Sequence, residues 1–167
     1  MALIIEDGTI VANANSFATV AECQAYADAR GLTLPTTDAG IEVLLVSAFD
    51  FLFSIEADFQ GTRYNTDQEA PFPRDEIYFL RDPDNDISGT IPKVLKNGQC
   101  RLAFDASQSD LLATGSGRVV KKEGVGPLSV EYGDDGASNP QVKPTAALAI
   151  LEPLFKYSST VGVYVVR

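Results

Sequence analysis

Histidine and tryptophan are absent from the 167 residues, methionine occurs once and cysteine twice. Without histidine no serine or cysteine triad of the usual kind can be assembled, because the base that takes the nucleophile's proton is missing. Neither Cys23 nor Cys100 has a base beside it in sequence. Two cysteines so far apart make neither a disulfide framework nor a zinc spacing, so they read as reduced, buried thiols of an intracellular protein. Long apolar runs are missing too. The most apolar stretch is broken by Glu42 and Asp50 and falls short of the about 20 apolar residues that a membrane span needs; no membrane partner is expected. The first residues carry Glu6 and Asp7 where a signal peptide needs a basic start and a longer apolar run, so no export is expected. Cations are scarce: 13 Lys and Arg against 23 Asp and Glu leave a net charge of -10. That balance repels nucleic acid on average, since duplex binding draws affinity from cations that release condensed counterions, although it is compatible with a local basic site.

What is present describes a globular chain. A hydrophobic fraction of 45% and a charged fraction of 22% are ordinary, and a domain of this length buries about 70% of its unfolded surface without metals or disulfides. Residues 37–56 are the organising stretch. Ile41, Leu44, Leu45, Ala48, Phe49, Leu52, Phe53 and Ile55 recur at helical spacing, with Val43, Val46 and Phe51 widening the apolar surface. Each such side chain gains roughly 1.5–3 kcal/mol on burial, which predicts a soluble core helix with Glu42, Ser47, Asp50 and Ser54 on its polar arc.

Around that helix the chain reads in order. Asp7-Gly8 is a hairpin-turn dipeptide between two short β-favouring runs at the N-terminus. Thr19 with Glu22 has the capping-box pattern and opens a helix over about 20–30, closed by Gly31. Residues 61–89 lose periodicity and carry Pro71, Pro73 and Pro83, which predicts a long irregular crossing. Ile91-Pro92 opens the next helix. Gly98 inside it costs roughly 1 kcal/mol relative to alanine and signals either a close packing neighbour or a weak helix. A polar link over 107–117 precedes two strands in 118–132, about a turn at 124–127. An acidic linker, a short helix from Pro144 to Leu151 broken by Pro153, and a β-prone terminus over 161–167 complete the chain.

Chemical motifs are few. Acidic pairs could act as acid and base, but nothing in the sequence separates such a pair from solvated carboxylates. Asp82, Asp84, Asp86 and Ser88 alternate as calcium ligands do. However, the glycine falls at Gly89 and Lys93 stands where the closing glutamate belongs, so a structural turn is the better reading. Gly115 and Gly117 lack the glycine-lysine that a phosphate loop needs. No catalytic residue, metal site or cofactor is expected. Arg118, Lys121 and Lys122 form the single basic concentration, which suits either a solvated edge strand or a phosphate-contacting surface.

Five stretches in this order resemble one family: MALIIEDGT, SFATVAECQAYADARG, APFPR from Ala70 to Arg74, the Ile91-Pro92 helix, and VKKEGVGPLSVEY from Val120 to Tyr132. They resemble tailed-bacteriophage head-to-tail adaptors, or head-completion neck proteins, whose related sequences are often labelled DnaT-like single-stranded DNA-binding proteins. The resemblance implies a mainly α (α+β) fold: a small helical bundle around a central buried helix, with a projecting β-hairpin and extended N- and C-terminal arms. It implies one adaptor domain over 1–167, with a helical core at about 19–112 and 144–157, the hairpin at 118–132 and an arm at 158–167. The implied role is a structural, non-enzymatic virion protein made in the host cytoplasm and placed in the neck. It would form a homo-oligomeric ring, commonly dodecameric, between the portal protein and a downstream tail or stopper protein, with double-stranded DNA passing through unread. The expected partner interface is Arg118, Lys121, Lys122 and Glu123 on the hairpin. It continues in Val163, Tyr164, Val165, Val166 and Arg167, which could add as a strand to a sheet edge of the portal. The alternative is a DnaT-like single-stranded DNA-binding protein of phage replication, whose affinity would fall steeply with salt.

Overall fold

The computed structural model describes residues 2–112, 122–125, 128–131 and 144–156, with 122–125 and 128–131 described as backbone. Four helices dominate: α1 (Val20–Asp28), α2 (Asp38–Ser54), α3 (Lys93–Gln108) and α4 (Thr145–Leu151). Two small antiparallel pairs accompany them, β1 (Thr62–Arg63) with β2 (Arg74–Asp75), and β3 (Lys122–Val125) with β4 (Leu128–Glu131). The fold is mainly α, as the sequence predicts.

The organising stretch is α2. Thr37 caps it, its hydroxyl accepting from the Gly40 amide at 3.2 Å. Ile41, Leu45, Ala48, Phe49 and Leu52 form its buried stripe. The apolar surface is narrower than the composition suggests: Val43 is 56% and Phe53 46% exposed, because α2 has neighbours on only part of its circumference. The Arg63 guanidinium stands 5.5 Å from the Phe53 ring and partly shields it.

α3 packs against α1, α2 and α4, and two adjacent residues explain how. At Gly98 an added Cβ would stand 2.4 Å from Leu151 Cδ2, so the glycine marks a close approach of α4 and not a weak helix. Beside it Gln99 is fully buried. Its Oε1 accepts from the Phe17 and Ala18 amides at 2.9 and 3.0 Å, and its Nε2 donates to Ser16 Oγ and the Leu45 carbonyl, both at 3.0 Å. One side chain thereby joins α3, α2 and the segment leading into α1.

That N-terminal segment departs from the expected hairpin and arm. Its bend at Asp7-Gly8 is present, but the flanking runs do not pair. Instead, the buried Glu6 carboxylate accepts from the Gly8, Ile10 and Val11 amides at 2.8, 3.0 and 2.8 Å, folding the loop onto its own side chain. Phe17 and Ala18 then enter the core. In the 61–92 crossing Arg74 is only 5% exposed and donates to the Pro71 and Gly61 carbonyls. Glu56, from the 3-10 turn that follows α2, faces Arg63 through two 2.7 Å contacts and Arg74 at 3.4 Å. Phe49, Phe17, Phe72, Phe59 and Phe155 form, in that order, a continuous aromatic row with centroid separations from 5.0 to 6.2 Å.

Candidate nucleic-acid interface

Arg118, Lys121, Val163, Tyr164, Val165, Val166 and Arg167 lie outside the described residues. Lys122 and Glu123 fall on β3, opposite Glu131 and Val130 of β4. The strand pair expected in 118–132 is therefore present, while its role as a partner surface is a matter of side chains beyond the description.

The described cations divide into two groups. Arg63 and Arg74 are committed to Glu56 and to backbone carbonyls; Arg81 is tied to Glu152 at 2.7 Å and to the Phe155 carbonyl; Lys156 donates to the Ala57 carbonyl. These hold the 61–92 crossing and the end of α4 in place. The second group, Arg30, Lys93, Lys96 and Arg101, gathers where α1 lies beside α3.

Helical spacing builds that place. Lys93, Lys96, Asn97 and Cys100 are one face of α3, and Glu22, Ala25 and Tyr26 are one face of α1, with Arg30 just past its end. Together they line a groove of about 380 Å³. The α1 face is set by its capping box: Glu22 Oε2 accepts from the Thr19 amide at 2.8 Å, and Thr19 Oγ1 accepts from the Glu22 amide at 3.1 Å. At one end Glu22 Oε1 meets Lys96 Nζ at 2.8 Å. At the other, the guanidinium of the exposed Arg30 lies 3.8 Å over the centroid of the buried Tyr26 ring. Beyond Tyr26, Arg101 is paired with Asp105 at 3.1 Å and lies 5.2 Å from the Phe104 ring.

The electrostatics follow from these contacts. Burial works to raise the Glu22 carboxyl, but hydrogen bonds from Lys96 and Thr19 outweigh it and leave the group below its ordinary value. Burial pushes the Tyr26 phenol up, with the neighbouring charges of Arg30 and Arg101 opposing. The Cys100 thiol is raised by its hydrogen bond with Cys23 and by burial, which keeps it protonated in the groove floor. The Lys96–Glu22 pair is partly exposed, and such pairs contribute about 0–1 kcal/mol, so exchanging Glu22 for another anion costs little. Among the described residues Arg30 and Lys93 meet no carboxylate, and the Asn97 amide makes no side-chain hydrogen bond. The arrangement offers cations, an exposed guanidinium stacked against an aromatic ring and a free amide, which suits a phosphodiester strand bearing bases.

Elsewhere the aspartates singled out by spacing serve turns: Asp82 Oδ1 accepts from the Asp84 amide at 3.1 Å and Asp86 Oδ1 from the Ser88 amide at 2.9 Å. Among the described residues no group of three Cys, Asp or Glu side chains converges to hold a metal, and no helix is long and apolar enough to cross a membrane.

A helical body with a cationic groove defines a class broad enough for many binding proteins. The comparison with protein families narrows it: the family model described as "Putative DnaT-like ssDNA binding protein" matches residues 1–167. The chain belongs to that family. No curated protein and no solved structure matches it.

This corrects the expectation of a head-to-tail adaptor. The whole-chain match is to a family described by single-stranded DNA binding, and nothing found supports an adaptor family. The physical reason lies in what the resembling stretches do. Thr19 and Glu22 cap a helix, Arg74 is buried under a loop, and Gly98 admits α4. Such residues specify a fold, and a fold does not fix an assembly role. The ring, portal and tail partners and the neck location rested on that role, and nothing found bears on them separately. Sequence reasoning also overlooked the groove cations. Lys93, Lys96 and Asn97 were visible at helical spacing, but their partner Arg30 is remote in sequence, whereas Arg118, Lys121 and Lys122 stand almost side by side.

Proposed function

We propose that this protein binds single-stranded DNA as a non-enzymatic module. The observation that carries this reading is the family match across the entire chain, and the α1–α3 groove supports it with suitable chemistry. The net charge of -10 does not oppose it at working ionic strength, because exposed charges farther away than about 10 Å are screened at 0.1 M salt, and the groove's own cations then dominate the approach of a phosphate.

The test is fluorescence anisotropy of labelled oligonucleotides with the full chain. Binding to a single strand should exceed binding to the same sequence as a duplex. Its logarithm should fall linearly with the logarithm of salt, with a slope of about 0.7 per phosphate contacted. Failure to bind any single strand at 50 mM salt would reject the reading.

A further inference from the structure

We propose that the single strand lies in the α1–α3 groove, where Glu22 occupies Lys96 as an internal stand-in for a phosphate and yields it when the strand arrives. The inference rests on the single-stranded DNA reading and adds the site, the role of each residue and a built-in competitor.

The roles follow from the contacts. Lys93, exposed and without a carboxylate partner among the described residues, takes one phosphate. Lys96 lies one turn along the same face of α3, about 4.5 Å farther on, and takes the next once it leaves Glu22. Arg30 is anchored by the Tyr26 ring, whose centroid lies 3.8 Å from its guanidinium carbon, and by its bond to the Tyr26 carbonyl at 3.2 Å. Its outer face is a platform on which a base of any kind can stack, which suits binding without sequence preference. Asn97, between the two lysines and the groove floor, is placed to reach a base edge.

Glu22 differs from an ordinary surface partner because its two oxygens have separate duties. Oε2 completes the capping box of α1, while Oε1 alone holds Lys96. Lys96 can therefore leave without unravelling α1. Glutamine suits the capping position as well as glutamate, so Glu22→Gln removes the competing charge and keeps the helix start. A gain of affinity in that variant is a result that mere damage to the fold would not produce.

The experiment is anisotropy with a labelled oligothymidylate at 50 mM salt, using the full-length native chain and five variants of it. Arg30→Ala is expected to weaken binding about tenfold through loss of its stacking plane. Lys93→Ala should weaken it several-fold and lower the salt slope by about 0.7. Lys96→Ala should weaken it more than Lys93→Ala, since it also leaves Glu22 facing the phosphates. Glu22→Gln should tighten it about fivefold at this salt, with the gain fading as salt rises. The double change Lys121→Ala with Lys122→Ala is expected to bind like the native chain. If the native chain binds but the three cation variants match it, the groove is not the site, while the functional reading survives. If the cation variants weaken and Glu22→Gln does not tighten, the competitor role falls. If the native chain binds no single strand, both fall.

Discussion

Gln99 has no exposed surface and uses both lone pairs and both amide hydrogens. Gln99→Leu preserves volume but leaves the buried Phe17 amide without an acceptor, while the Ala18 amide keeps its 3.2 Å bond to Ser16 Oγ; a buried unsatisfied group costs about 1–3 kcal/mol. Urea unfolding of that variant should show a loss of about 1–3 kcal/mol. Its neighbour Gly98 poses the opposite problem, an excess of material. Alanine there would gain about 1 kcal/mol of helix propensity, but Leu151 is fully buried and cannot withdraw from a Cβ at 2.4 Å. Overpacking costs about 1–3 kcal/mol, so Gly98→Ala should lower the melting temperature. Adding Leu151→Ala should cost less than the sum of the two changes, because the new methyl fills part of the space vacated.

Among the elements, the 61–92 crossing has two two-residue strands and depends instead on the Glu56 cluster. The hydrogen bond from Arg63 outweighs burial and, with the nearby charge of Arg74, holds the Glu56 carboxyl below its ordinary value of 4.5. A depressed carboxyl stabilises the fold fully above its unfolded value and loses that contribution as pH falls through the folded one. Acid unfolding followed by circular dichroism should therefore decline less steeply below about pH 4.5 in Glu56→Gln than in the native chain. Legibility in the sequence divides along the same lines. Helices α1, α2 and α4 were readable because their determinants are local: a Thr–Glu box, a run of apolar residues at helical spacing, a proline on either side. The crossing was readable only as irregular, since Arg74 meets Glu56 and the Pro71 carbonyl through pairings that no periodicity encodes. The exposure of Val43 and Phe53 was hidden for a related reason: an apolar residue announces that it can be covered, not that a neighbour exists to cover it. At α3 the proline signal was one residue early, for Pro92 is the N-cap and the helix begins at Lys93.

At the scale of the molecule, the proposed site is built by two helices whose sequences are separated by α2 and the whole crossing. Anything that shifts α3 against α1 should alter strand binding without touching a groove residue. Cys23→Val tests this, because Cys23 is fully buried beside Cys100 beneath the groove. Its added bulk should reduce single-strand affinity measurably by anisotropy, by a few-fold, while leaving the salt slope, which counts phosphate contacts, unchanged. The attachment of the first segment carries a further consequence. Because the Phe17 and Ala18 amides donate to a glutamine buried in the middle of α3, they cannot open to solvent while the body stays closed. Their hydrogen–deuterium exchange should match that of the slowest α3 protons, so that a stretch with no helix of its own melts in the same cooperative event as the centre of the protein.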